Sequence, residues 1–257
     1  MRALGTLSFL AILLAPTLSY AAELNILTSG STYTAEKELG EDFTKKTGTT
    51  LNFQQGATGM MLEKLKSGAP ADVIVLSTAA IDQLDKEGAL LKGSKAAIGS
   101  SALGMGVAKG AAKPDISTPE KFRAVLLAGK TVLVGDPARG GTSSLPIDNL
   151  LKRPEFKGVK AKFPNKAPTA ALAQGEGDIA LELVGDILAE KDIQLAGVFP
   201  AAYNTDVPYS AAIPAKSTQA AQAKAFIAFI TRPETSPAWK KTGMEDRKST
   251  RLNSSHG

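Results

Sequence analysis

Between Leu24 and Glu87 the chain repeats one unit three times: a short apolar segment, a turn rich in Ser, Thr and Gly, and a segment with helical apolar spacing. Leu24, Ile26 and Leu27 lead into Thr28-Ser29-Gly30-Ser31-Thr32 and then into a helix carrying Leu39 and Phe43 four residues apart. Thr50 to Phe53 leads through Gln55-Gly56-Ala57-Thr58-Gly59 into Met60 to Lys66, and Val73-Ile74-Val75-Leu76 leads through Ser77-Thr78 into Ala79 to Glu87. Apolar runs with no polar alternation suit strands covered on both faces, as in a parallel sheet with helices on either side. In an open sheet of this kind the turns that follow the strands meet at one crevice. Ser31 and Thr58 therefore converge, together with free N–H groups and the positive ends of helix dipoles, on a site suited to an anion without a charged side chain.

The texture changes after Ser101. Ala102 to Ala108 reads as a Gly-interrupted strand, and a lobe boundary is expected near Gly104. Thr118-Pro119 has the N-cap and N1 residues of a helix that Gly129 ends. The loop Gly135 to Ser144 lacks the Gly-Lys-Ser/Thr ending of a nucleotide-binding P-loop, which leaves a backbone nest of N–H groups as its reading. Asp178 to Val184 reads as a strand, Pro200 to Pro208 as a second crossing between lobes, and Gln219 to Ile230 as a helix returning to the first lobe. The expected domains are 22–103 with 209–245 as lobe 1 and 104–208 as lobe 2. Two crossings between two α/β lobes suit hinge closure over a ligand.

Both ends are expected to lie outside this fold. Arg2, the apolar run from Ala3 to Leu18 and Ser19-Tyr20-Ala21 have the pattern of a secretory signal peptide over 1–21, cleaved near Ala21 or Ala22. Codons for Asp246 to His256 can be chosen to resemble a common sequencing adapter, so 246–257 are expected not to belong to the natural protein. The tail and Arg2 carry three of the five net positive charges, leaving +2 for the body. Such a body has no basic stripe for nucleic acid. The chain has no Cys, and its one His is His256 in the tail, so neither a Ser–His or Cys–His pair nor a thiolate metal site is expected. The expectation is an exported, non-enzymatic monomer with no cofactor.

The chain resembles the periplasmic substrate-binding proteins of ABC importers, specifically the molybdate-binding type. The resemblance rests on the Ser31 turn, Gly56-Ala57-Thr58-Gly59, Gly68-Ala69-Pro70-Ala71-Asp72-Val73, Gly135-Asp136-Pro137 and Pro208-Tyr209-Ser210-Ala211. It implies an α/β, two-lobed binding protein of type II-like architecture. Each lobe would be a mostly parallel sheet flanked by helices, with the ligand cleft between them. It also implies a tetrahedral oxyanion, molybdate or tungstate, held by neutral donors without a protein-bound metal and handed to membrane permease subunits. By position Ser31 and Thr58 would be donors from lobe 1, Tyr209 a phenol donor at the hinge, and Thr142 or Ser143 a contact from lobe 2. Three features depart from that pattern, the mildest being Thr58 where Ser is usual, which keeps the hydroxyl. Gly140-Gly141-Thr142-Ser143 replaces the usual loop, and Glu182 stands where an apolar stretch is usual. Glu182 either points outward from an alternating strand or lines the cleft, where an ionised carboxylate would repel a dianion. Sulfate-like anions, a small organic acid and, remotely, an enzyme on the same fold remain as alternatives.

Overall fold

The computed structural model describes residues 22–245; the leader and tail expected at the two ends lie outside them. The first part of the chain runs β1 (Glu23–Ser29), α1 (Gly30–Thr47), β2 (Thr50–Gly56), α2 (Thr58–Lys66), β3 (Val73–Ser77), α3 (Thr78–Lys86) and β4 (Ala96–Ser101). The second part runs β5 (Leu103–Ala108), α4 (Pro119–Leu127), β6 (Thr131–Leu133), α5 (Ser144–Leu151), β7 (Lys160–Lys162), α6 (Pro168–Ala173), β8 (Ile179–Leu183), α7 (Val184–Ala189) and β9 (Ile193–Val198). The chain then returns with β10 (Val207–Ala212), α8 (Ala220–Ile230), α9 (Ser236–Lys241) and β11 (Met244–Glu245). Two sheets result, ordered β11-β4-β10-β3-β1-β2 and β7-β6-β8-β5-β9. This is a two-lobed α/β fold with helices packed on both sheets.

The repeated unit produces the parallel half of the first sheet. β1 pairs in parallel with β2 and β3, so Ile26 lies opposite both Phe53 and Val73, and every residue of β3 is buried. Gly48, with φ at 74°, closes α1 by donating its N–H to the Thr44 carbonyl. Phe43 then packs edge-on against Phe226 and Phe229 of α8, with ring centroids 5.3 and 5.4 Å apart. Asp72 fastens this lobe by accepting the Asn25 N–H at 3.0 Å and the Ser217 hydroxyl at 2.7 Å.

The strands beside the crossings run against the parallel ones. β10 is antiparallel to β3 and β4, while β5 is antiparallel to β8 and β9. Parallel pairing, expected for most of each sheet, is thus confined to β1–β3 and β6–β8, because the strand that enters each lobe across a passage, β5 or β10, inserts in the reverse direction between its neighbours. Passage from one sheet to the other takes a single residue, Ala102, on the way out and 199–206 on the way back. These passages are joined: the Leu103 N–H donates to Asn204 Oδ1 at 3.0 Å. Tyr203 anchors the return passage on the second lobe, its ring 5.7 Å from Phe122 and 5.2 Å from Phe156.

One carboxyl lies wholly inside the first lobe. Glu36 on α1 is fully buried, Oε1 accepts the Thr28 hydroxyl at 2.6 Å, and Oε2 has no hydrogen-bond partner among the described residues. Burial raises its pKa from an ordinary 4.5 to about 7, against the opposing hydrogen bonds of Thr28 and Thr32. The fold accommodates the neutral acid, so its contribution is fully present below pH 4.5 and is lost as pH rises through 7. Glu36→Gln removes that loss. Urea unfolding should show the variant gaining on the parent by about 3 kcal/mol between pH 5 and pH 8, since each pKa unit is 1.36 kcal/mol. A parallel pH dependence in the two proteins would contradict this.

Candidate functional site

The strand-end turns of both lobes face one another. Ser29 and Gly30 begin α1, Ala57 and Thr58 begin α2, the loop from Gly135 to Ser143 precedes α5, and Leu183 leads directly into α7. Between them lies a cavity of about 580 Å³. Its wall includes Gly30 and Thr58 from the first lobe and Thr142, Ser143, Glu182 and Asp186 from the second; Arg139, Asn165 and Lys166 add cationic and amide groups. The site therefore lies between the two sheets, at their helix N-termini.

The six residues singled out in the sequence come together here, in three hydrogen-bonded sets. Thr58 and Thr142 share a hydrogen bond across the lobes, Oγ1 to Oγ1 at 2.7 Å. Ser31 donates to Asp186 Oδ2 at 2.5 Å, and the Tyr209 hydroxyl donates to Ser31 Oγ at 3.3 Å. Ser143 bonds to the Glu182 carboxylate, whose Oε1 also accepts the Leu183 N–H at 3.0 Å. Ser31 and Tyr209 are buried and are not among the residues lining the cavity, whereas the other four are.

The outward position considered for Glu182 is not adopted: Glu182 is buried and lines the cavity. β8 is an inner strand, between β6 and β5, and all five of its residues are buried. It has no solvated face, so alternation along it cannot carry a side chain to water. Asp186 was not anticipated at all. It belongs to the first turn of α7 and meets Ser31, 155 residues earlier, only through the packing of the two lobes. Its one local signal is position: Gly185-Asp186 follows a strand end, where the other units carry Ser or Thr.

Two carboxyls in one cleft, Glu182 buried and Asp186 half-buried, cannot both ionise freely. Glu182 is pushed up to about 8, first by burial and then by the neighbouring Asp186, against the hydrogen bonds from Ser143 and the Leu183 N–H. Burial also raises Asp186, to about 6, against its bond from Ser31. The Tyr209 phenol is raised by burial and by Asp186, so it serves as a neutral donor. At neutral pH the pair holds roughly one proton.

Glycines allow the lobes to meet. The Gly59 N–H donates to the Gly140 carbonyl at 3.1 Å, and a β-carbon on Gly59 would lie 2.8 Å from the Arg139 carbonyl oxygen. A β-carbon on Gly185 would lie 2.6 Å from the Ser31 carbonyl oxygen. Gly59→Ala and Gly185→Ala each place a methyl group against backbone of the opposite lobe. Either should hold the cleft open, seen in small-angle scattering as a larger radius of gyration than the parent's in saturating ligand. Scattering curves that superpose on the parent's would refute the close approach.

A family model described as bacterial extracellular solute-binding protein matches residues 24–245. A Pseudomonas sp. protein named aconitate isomerase is 27% identical over 252 residues, covering 94% of this chain and 96% of that one. The periplasmic molybdate-binding protein of Azotobacter vinelandii superposes with a TM-score of 0.72 at 19% identity, over 87% of this chain and 99% of that one. PEB3 bound to L-phospholactate superposes with a TM-score of 0.67 at 17% identity, over 87% and 100%. These likenesses to solved structures establish the two-lobed binding-protein fold. The extent of the family match places the chain itself: it belongs to the family of bacterial extracellular solute-binding proteins.

Proposed function

We propose that this chain is the periplasmic solute-binding component of an ABC importer and that it carries a small organic anion to the permease. The observation that carries the reading is the cleft itself. A cavity of about 580 Å³ lies within the roughly 300–1,000 Å³ typical of small-molecule sites, and is larger than a tetrahedral oxyanion needs. Its chemistry is polarised, with Arg139 on one lining segment and the Glu182–Asp186 pair on another. In this reading a ligand carboxylate lies toward Arg139 and the hydroxyls of Thr58, Thr142 and Ser143, while Ser31 and Tyr209 support the site from behind its wall. The names of two relatives agree with it, since aconitate and phospholactate are both organic acids. The molybdate or tungstate ligand implied by the sequence resemblance asks for neutral donors around a dianion, and two carboxyls in the wall oppose that.

A second reading is favoured by one observation. Two carboxyls raised to about 8 and about 6, Glu182 buried and Asp186 half-buried, are a proton-holding pair in a cleft, which suits an isomerase that takes a proton from one carbon beside a double bond and returns it at another. The Pseudomonas relative's name fits such chemistry.

One experiment separates the two. Refolded protein is titrated with di- and tricarboxylic acids, cis-aconitate among them, by calorimetry, and the aconitate sample is kept in D2O for NMR. The binding reading predicts saturable heat with an organic acid and no deuterium entering the aconitate carbons, whereas deuterium uptake would establish the isomerase. Arg139→Ala should weaken binding by roughly 10- to 100-fold, because a hydrogen bond to a charged group is worth about 1.5–3 kcal/mol and each 1.4 kcal/mol is tenfold. Heat with molybdate or sulfate and with no organic acid would overturn the organic-anion assignment.

A further inference from the structure

The turn between β1 and α1 has the donors for an anion, yet a carboxylate of the chain already engages it. Asp186 Oδ2 takes the Ser31 hydroxyl proton at 2.5 Å, and Oδ1 packs so closely on Gly30 that a β-carbon there would lie 2.6 Å away. Tyr209 spends its proton on Ser31 at 3.3 Å, so neither hydroxyl keeps a free donor for a second anion. Asp186 arrives there from the opposite lobe because Gly185 lets α7 approach to contact with the Ser31 backbone. The same carboxylate lines the cavity beside Glu182.

From this arrangement we infer that Asp186 is a specificity-determining residue: an internal carboxylate that occupies the oxyanion position at the start of α1 and excludes fully ionised tetrahedral oxyanions from the cleft. The inference deepens the organic-anion reading above and rests on it for the class of ligand admitted. A ligand group that meets the Asp186 carboxylate must bring a proton, so it is a hydroxyl, an ammonium or an un-ionised carboxyl. Selection works by repulsion of the wrong solute as much as by attraction of the right one.

The test compares the parent with Asp186→Asn, which keeps the shape and removes the charge, by calorimetry with molybdate and with sulfate at pH 7.5. The variant is expected to bind at least one of these at least tenfold more tightly than the parent. Equal affinity in the two proteins, or no binding of either ion by either protein, overturns the inference. Asp186→Ser, smaller and also uncharged, repeats the comparison should the amide variant fail to fold. Ser31→Ala, which leaves the carboxylate in place, should gain no oxyanion affinity, and a gain there would also count against Asp186. The organic-acid titration of the parent is read separately: its failure alongside an oxyanion gain in Asp186→Asn would remove the organic-anion reading and leave the role of Asp186 standing.

Discussion

Ser31 and Asp186 meet where the two lobes close, one residue from each, and their hydrogen bond sets much of what surrounds it. A carboxylate drawn out of water into that junction must be paired, protonated or both. Here it takes a hydroxyl proton from Ser31, which is itself held by Tyr209. Burial first, and then the charge of Asp186, favour a proton on Glu182, a residue that the covered strand β8 holds in the cleft. The hydroxyl-rich turns of the first lobe are therefore matched to two carboxyls on the cleft side of the second.

The rest of the architecture suits hinge closure. Two short passages join the lobes and are bonded to each other through Leu103 and Asn204, the arrangement that a hinge between two lobes requires. Away from the hinge, the lobes touch where side chains are small, at Gly59 with Gly140 and at Gly185 with Ser31. Contacts of that kind add little hydrophobic adhesion. Polar bonds also cross the cleft, Thr58 with Thr142 and Ser31 with Asp186, and a ligand's own oxygens can compete with them.

Much of this was legible in the sequence where the determinants are local. The βα units, the hydroxyl turns at Ser31 and Thr58, the crossing before Tyr209 and the Thr118-Pro119 helix start each follow from neighbouring residues. β4, with the sequence Ala96-Ala97-Ile98-Gly99-Ser100-Ser101, has little strand character of its own and exists because β10 and β11 flank it. Glu182 was singled out, but its direction stayed open because an alternating pattern says nothing about a strand covered on both sides. Asp186 escaped because its partner is 155 residues distant. Residues whose partners lie on the opposite lobe leave little local trace.

If an organic anion closes the cleft against the Glu182–Asp186 pair, its binding is linked to the protons that the pair holds. Binding of an identified organic acid is measured calorimetrically at pH 7 in buffers of different ionisation enthalpy, which yields the number of protons exchanged. An anion buried beside Asp186 and Glu182 raises both of their pKa values further, so the account predicts net uptake, approaching one proton per ligand. Binding with no proton exchange, or with release, would contradict it.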